Sequence, residues 1–305
     1  MRSEVVSLGT NCSGRTLSVL LNSACGPFVY LYDFCALSPD QNEEVGPFQS
    51  IRLSATDSAR GNELQWNPSN ESVFAVVNSD GTSSTYAVEF IVTVFFLVVH
   101  RKPKKFDILG TSRLKVPGTC LSWSPKGKQL VVGDAHGSIH QFKPEMLLVR
   151  SIGPPSSIDA KGNVLERCVG ICWLSSTEFL IAYAPLSGES LTVSLLRTRK
   201  EGPPCWTHFD DIIYCSEQCA SPQRAFFVFL LQWNLVLCGS LRSSEVNVLG
   251  KREGVWKVWS LNDNSRIELP LKSTQDENFP CGICVETSSE TLVRMGEYQE
   301  LVNIL

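Results

Sequence analysis

The sequence predicts an all-β fold, a β-propeller assembled from repeated units of short strands. Three observations carry that expectation. Tryptophan recurs at Trp66, Trp123, Trp173 and Trp233, about 50 to 60 residues apart, which is the range of propeller repeats. Each tryptophan is followed by a turn and a short apolar run, and helical periodicity is nearly absent along the 305 residues. Clusters of Gly, Pro, Ser and Asp cut the chain into pieces of strand length.

The units follow in order. Val5 to Leu8, a turn through Ser13-Gly14, and Leu17 to Leu21 form a first, weak copy. In the second, Leu64-Gln-Trp66 leads to Val73–Val77 and a turn at Asp80-Gly81. The third is the clearest: Gly118 to Trp123, a Ser-Pro-Lys-Gly turn, Lys128 to Val132, a turn from Asp134 to Gly137, and Ser138 to Phe142. The fourth runs from Ile171 through Trp173 to Phe179–Tyr183, and the fifth from Phe229 through Trp233 to Leu235–Gly239. A last unit opens at Cys281-Gly-Ile-Cys284 and dissolves. Each tryptophan is expected to end the first strand of its unit and to pack between blades. About five blades result, in a single partial domain spanning 1–305. Closed propellers have four to eight blades, and an incomplete ring exposes strand edges.

Two segments fit the repeat poorly. Phe90 to Val99 is almost uniformly apolar and is followed by His-Arg-Lys-Pro-Lys-Lys105. It is too short for a membrane-spanning helix. The expectation is that Thr82 to Phe90 completes a blade and that an insertion near 91–105 enlarges the connection to the next. The tail 292–305 diverges from the repeat.

Composition narrows the function. The net charge of −4 argues against a nucleic-acid surface, which needs clustered Lys and Arg. No apolar leader follows Met1, so the twelve cysteines are read as thiols of an intracellular protein. Cys120, Cys172 and Cys238 lie among apolar neighbours, as buried cysteines do. Gly9-Thr-Asn-Cys-Ser-Gly14-Arg15-Thr16 approaches phosphate-loop spacing, yet Leu17 onward predicts a strand where a helix N-terminus is required. Cys281-x-x-Cys284 has zinc-knuckle spacing, and Cys168/Cys172 and Cys215/Cys219 are one residue wider. On a strand, alternate residues share a face, so Cys168 and Cys172 are expected to be buried together rather than to hold metal. The four histidines, His100, His136, His140 and His208, sit in no catalytic motif, and His136 falls at the turn position that Asp80 occupies in the second unit. No catalytic residue, metal or cofactor is assigned.

The wording of the repeats then becomes specific. "LQWNPSNESVFAVVNSDG", "LSWSPKGKQLVVG", "QWNLVLCGSLRSSEVNVLG" and "LNDNSRIELPLKS" together resemble the N-terminal β-propeller of the CAN-type nucleoporin, the large FG nucleoporin on the cytoplasmic face of the nuclear pore complex. The resemblance runs from near Val5 to about Thr287. It implies a seven-bladed ring of which this chain carries about five, and a place in the nucleus at the cytoplasmic face of the nuclear envelope. No Phe-Gly dipeptide occurs, so FG-type binding and coiled-coil anchoring belong to regions not in this sequence.

The resemblance also implies a partner. In that family the propeller docks the DEAD-box RNA helicase of messenger RNA export, and an acidic propeller competes with RNA for the helicase's basic surface. Around Asn264-Ser-Arg266-Ile-Glu268-Leu-Pro-Leu271 the chain resembles the helicase-touching loop. By that resemblance Arg266 bonds a helicase carboxylate and Leu271 fills an apolar patch, with Glu268 a further candidate. Direct contact with nucleic acid or membrane is not implied. Two rivals stand beside this reading: a WD40-like adaptor for another partner, although the repeated Gly-His and Trp-Asp pairs are lacking, and a propeller hydrolase with histidines or carboxylates gathered at one mouth.

Overall fold

The computed structural model describes residues 3–37, 45–95, 98–155, 165–185, 191–216, 219–285, 293–295 and 300–302. Strands dominate, and within each sheet they pair with their neighbours in the chain. Five four-stranded antiparallel sheets follow one another along the chain. The first holds β1 (Glu4–Thr10), β2 (Thr16–Ser23), β3 (Gly26–Asp33) and β4 (Gln49–Arg52). The second holds β5 (Gly61–Trp66), β6 (Val73–Asn78), β7 (Thr82–Phe95) and β8 (Val98–Arg113). The third holds β9 (Gly118–Trp123), β10 (Leu130–Asp134), β11 (Ile139–Phe142) and β12 (Leu148–Ile152). The fourth holds β13 (Leu165–Trp173), β14 (Glu178–Pro185), β15 (Leu191–Arg197) and β16 (Cys205–Ile213). The fifth holds β17 (Ala225–Leu230), β18 (Leu235–Ser240), β19 (Glu245–Arg252) and β20 (Val255–Trp259), with the short β21 (Ile267–Glu268) pairing the start of β19.

Each sheet is a blade, and the first strand of each packs beside the first strand of the next, so that β1, β5, β9, β13 and β17 surround a central channel. The turn between β10 and β11 shows why the sequence bends there. Asp134 Oδ1 accepts the backbone N–H of His136 at 2.8 Å and of Ser138 at 2.9 Å, and Gly137 takes φ +77° without a side-chain clash. His136 is a turn residue, as its alignment with Asp80 predicts.

The core lies between blades. Leu20, Val29 and Leu31 of the first blade meet Trp66, Phe74 and Val76 of the second. Val73, Ala75 and Val77 of the second meet Leu121, Trp123 and Leu130 of the third. Trp66 Nε1 donates to Ser18 Oγ at 2.9 Å and Trp123 Nε1 to the Gln65 carbonyl at 3.1 Å, so each indole joins its blade to the preceding one. Trp173 uses its backbone instead: its N–H donates to Ser122 Oγ at 3.0 Å, while its indole N–H bonds the Ser175 carbonyl of its own turn.

Three expectations change. Trp233 does not end a strand. It lies in a 3-10 turn, Leu231–Trp233, closed by Asn234 in the left-handed region at φ 51°, and it is 47% exposed. This turn is so tight that the strand must stop at Leu230, whose register partner is Leu235. The blade's interface aromatic is Trp256 of β20, which packs edge-on against Phe229 at 6.2 Å.

Cys168 and Cys172 are both buried but belong to different interfaces, the former facing the third blade and the latter the fifth. A register shift between Cys168 and Gly170 in β13 inserts an extra residue and reverses the alternation.

The second blade is not complete at Phe90. Its third strand continues to Phe95 and its fourth begins at Val98, pairing Ile91 with Lys102 and Phe95 with Val98. The segment near 91–105 is therefore the far end of an outer hairpin rather than a connection between blades. Of the tail 292–305, Val293–Met295 pairs antiparallel with Glu300–Val302.

The phosphate-like loop has its own use. Asn11 Oδ1 accepts from the backbone N–H groups of Arg15 and Thr16, and Nδ2 donates to the Glu71 carbonyl of the next blade at 2.9 Å. Asn67 repeats the device one blade on, donating to the Gly127 carbonyl at 2.8 Å. These buried amides join turns; Thr16–Ser23 is a strand, as expected.

Candidate docking site

The fifth blade presents the residues singled out by the LNDNSRIELPLKS phrase. Its outer strand β20 follows β19 through a two-residue turn, Glu253-Gly254, both at positive φ. Trp256 points inward and is buried. Val255, Val258 and Trp259 are 49%, 44% and 42% exposed, an exposure shared by Ile108 of β8 and Leu148 of β12 on the outer strands of their blades. Trp259 lies over Gly250, its diagonal neighbour on β19: a Cβ built there would fall 2.2 Å from the indole, so the ring rests on bare backbone.

After Trp259 the chain makes a 3-10 turn, Asp263–Ser265, and returns to the same sheet. Arg266 N–H donates to the Asp263 carbonyl at 3.4 Å, and Arg266 Nη2 lies 3.4 Å from Asp263 Oδ1. Both side chains are largely in water, at 55% and 91% exposure, so this ion pair contributes little to stability and is easily exchanged. β21 then pairs Ile267 with Val246 and Glu268 with Glu245. Two carboxylates set directly across a ladder repel, and a basic group arriving from outside relieves them. Leu269 N–H donates to the Ser244 carbonyl at 2.9 Å, which fixes the segment before it turns out at Pro270. Leu271 is 53% exposed and Ile267 46%.

Arg266, Glu268 and Leu271 thus stand on one exposed segment, and no hydrogen bond or ion pair joins them to each other among the described residues. A cleft of about 200 Å³ between this segment and the blade is lined by Glu245, Asn247, Val258, Trp259, Arg266 and Ile267. The apolar members of this rim are missing from the sequence reading. Val255-Trp-Lys-Val-Trp259 has the composition of a core strand; only its place as the last strand of its blade marks it as a surface.

Behind the rim the blade is anchored to the fourth by Glu178, which is 7% exposed. Its carboxylate accepts from Lys251 Nζ at 2.8 Å, Arg197 Nε at 3.2 Å and Trp256 Nε1 at 3.5 Å. Burial alone pushes such a carboxyl up; the bonds from Lys251 and Arg197 outweigh it and hold the group below its ordinary value.

The groups weighed for chemistry are dispersed. Cys281 and Cys284 are exposed, and among the described residues no three His, Cys, Asp or Glu side chains form a metal-binding group. His140 bridges Asp134 and Ser151 within the third blade, at 2.9 Å on each side, and His208 bonds Ser194 in the fourth. His100 lies outside the residues whose side chains are described.

A family model described as the NUP159/214 beta propeller matches residues 35–295. Nuclear pore complex protein 14 of Caenorhabditis elegans is 29% identical over 284 residues, covering 92% of this chain and 19% of that protein. Nuclear pore complex protein Nup214 of Drosophila melanogaster is 32% identical over 263 residues, covering 83% and 14%. Nup214 of Homo sapiens is 26% identical over 311 residues, covering 99% and 14%. The chain therefore spans less than a fifth of the length of these curated relatives. Among solved structures, the WD40 domain of Toxoplasma gondii coronin superposes with a TM-score of 0.58 at 12% identity, over 83% of this chain and 57% of that one. That likeness concerns the propeller fold alone.

Proposed function

Because the chain belongs to the NUP159/214 β-propeller family, we propose that it is the docking propeller of a nuclear pore protein that recruits a DEAD-box RNA helicase for messenger RNA export. Its place is the nuclear pore complex, at the cytoplasmic face of the nuclear envelope, and its work is binding rather than catalysis. Other nucleoporins bind through regions outside this chain.

The observation that carries the reading is the exposed rim of the fifth blade. It offers what a specific contact needs: apolar anchors in Leu271, Ile267 and Trp259, a guanidinium in Arg266 with a weak and replaceable partner, and the opposed carboxylates of Glu245 and Glu268. Arg266 takes a helicase carboxylate in place of Asp263, and the glutamates face basic groups that otherwise hold RNA. The net charge of −4 steers a basic partner toward the propeller.

The test is a titration of the chain with the export helicase, repeated in the presence of single-stranded RNA. The proposal predicts saturable binding that RNA competes away and that weakens with ionic strength. Folded protein that fails to bind contradicts it.

A further inference from the structure

The central channel has two unlike mouths. Where the first strands end, the lining is apolar, with Trp66, Trp123, Trp173 and Phe229 around a cavity of about 330 Å³. Where they begin, a cavity of about 500 Å³ is lined by Glu4, Arg60, Asn62, Arg167, Gln223 and Arg224, with small aliphatic residues between them. We propose that this second mouth binds an extended acidic peptide, with Arg167 as the residue that captures its carboxylate.

The charges support this. Three arginines come to the mouth from separate blades, Arg60 from the second, Arg167 from the fourth and Arg224 from the fifth. Two have carboxylate partners. Arg60 pairs with Glu4, and Arg224 lies 3.8 Å from Glu63 while donating to the Val6 carbonyl at 3.3 Å. Arg167 differs: among the described residues its bond is to a neutral amide oxygen, Gln223 Oε1, at 3.3 Å. A guanidinium with an amide partner gains most from an arriving carboxylate, which takes two parallel N–H donors. Asn62 and Gln223 line the same mouth, Asn62 held by its bond to the Gly118 carbonyl at 2.6 Å and Gln223 by Arg167.

The ligand class follows from what the mouth lacks. Nucleic acid single strands bind where aromatic rings stack the bases, and among the described residues no aromatic side chain lines this cavity. The chain's overall charge of −4 acts alike on an acidic peptide and on a nucleic acid, so the missing aromatic platform decides between them. The site shares no lining residue with the cleft of the fifth-blade rim, so the proposal stands apart from helicase docking.

The experiment is fluorescence anisotropy of a fluorescein-labelled oligoglutamate peptide at low salt, with an oligouridylate RNA of equal length in parallel. Wild type, Arg167→Gln, Arg167→Glu and Leu271→Ala are compared, each checked by circular dichroism melting. Saturable peptide binding is expected, weakened about tenfold or more by Arg167→Glu, less by Arg167→Gln, and unchanged by Leu271→Ala. Absence of saturable peptide binding, or equal affinity in Arg167→Glu, overturns the proposal. RNA binding tighter than the peptide and lost in Arg167→Glu overturns the peptide assignment in favour of a nucleic-acid site.

Discussion

Between the third and fourth blades, Cys120, Cys168, Ile171, Trp173, Phe179, Ile181 and Tyr183 are all buried, Tyr183 and Ile181 completely. Along the outer strand of the fifth blade, Val255, Val258 and Trp259 stand between 42% and 49% exposed. The two sets are nearly the same in composition. What separates them is a neighbour: every side chain of the first set has a second blade against it. Val5 and Leu8 of β1 are 59% and 65% exposed for a different reason, since they line cavities of the central channel. Burial in a propeller is thus conferred by a neighbouring blade, and the outer strand of a blade keeps apolar side chains in water, as Ile108 of β8 and Leu148 and Val149 of β12 also show.

That contrast breaks most severely at Trp173. Removing an indole that is 4% exposed between two blades leaves a cavity, and Trp173→Ala is expected to cost about 3–5 kcal/mol in urea denaturation. Trp259→Ala on the rim is expected to cost far less, within about 1 kcal/mol. Equal losses contradict the distinction between core and rim.

Next in size is the anchor behind the rim. Glu178→Gln leaves Lys251 and Arg197 without their carboxylate and is expected to cost about 1.5–3 kcal/mol. Its pH dependence has a definite sign. The folded carboxyl titrates below its unfolded value of 4.5, so its contribution is present above that pH and is lost as the pH falls through the folded value. The stability gap between wild type and Glu178→Gln therefore narrows on acidification below 4.5 and is constant at neutral pH. A gap independent of pH in that range contradicts the network.

Gly133→Ala sharpens the interior. Its Cβ falls 2.4 Å from Cys168 Sγ and 2.7 Å from Cys120 Sγ, two buried thiols that are themselves 3.3 Å apart. Overpacking of about 1–3 kcal/mol is expected in the same denaturation assay. A smaller stability effect belongs to Gly250→Ala, which lifts the Trp259 indole off the sheet. The melting temperature is expected to change little, while helicase affinity falls.

The propeller and its blade order are legible because their signals are local. An aromatic at the end of one strand, a Gly-containing turn and an apolar return strand recur at the right spacing. Trp233 escapes the pattern because Asn234, unlike the residues after Trp123 and Trp173, adopts a left-handed conformation and shortens the loop to a single 3-10 turn. Cys168 and Cys172 are misplaced together because a bulge is invisible to strict alternation. At the candidate site, the phrase around Arg266 is legible only through family resemblance: a charged side chain in a loop says nothing by itself. Val255, Val258 and Trp259 are not legible from their own composition, since their exposure follows from the place of β20 as the outer strand of its blade, as for Ile108 of β8 and Leu148 of β12.

The most direct test compares Arg266→Glu with wild type in both stability and helicase binding. Arg266 is exposed and paired only with Asp263 among the described residues, so the melting temperature should not move. Affinity for the helicase should fall by about 1.5–3 kcal/mol, as expected for reversing a charge-assisted contact. Unchanged affinity with unchanged stability would contradict the rim of the fifth blade as the docking surface.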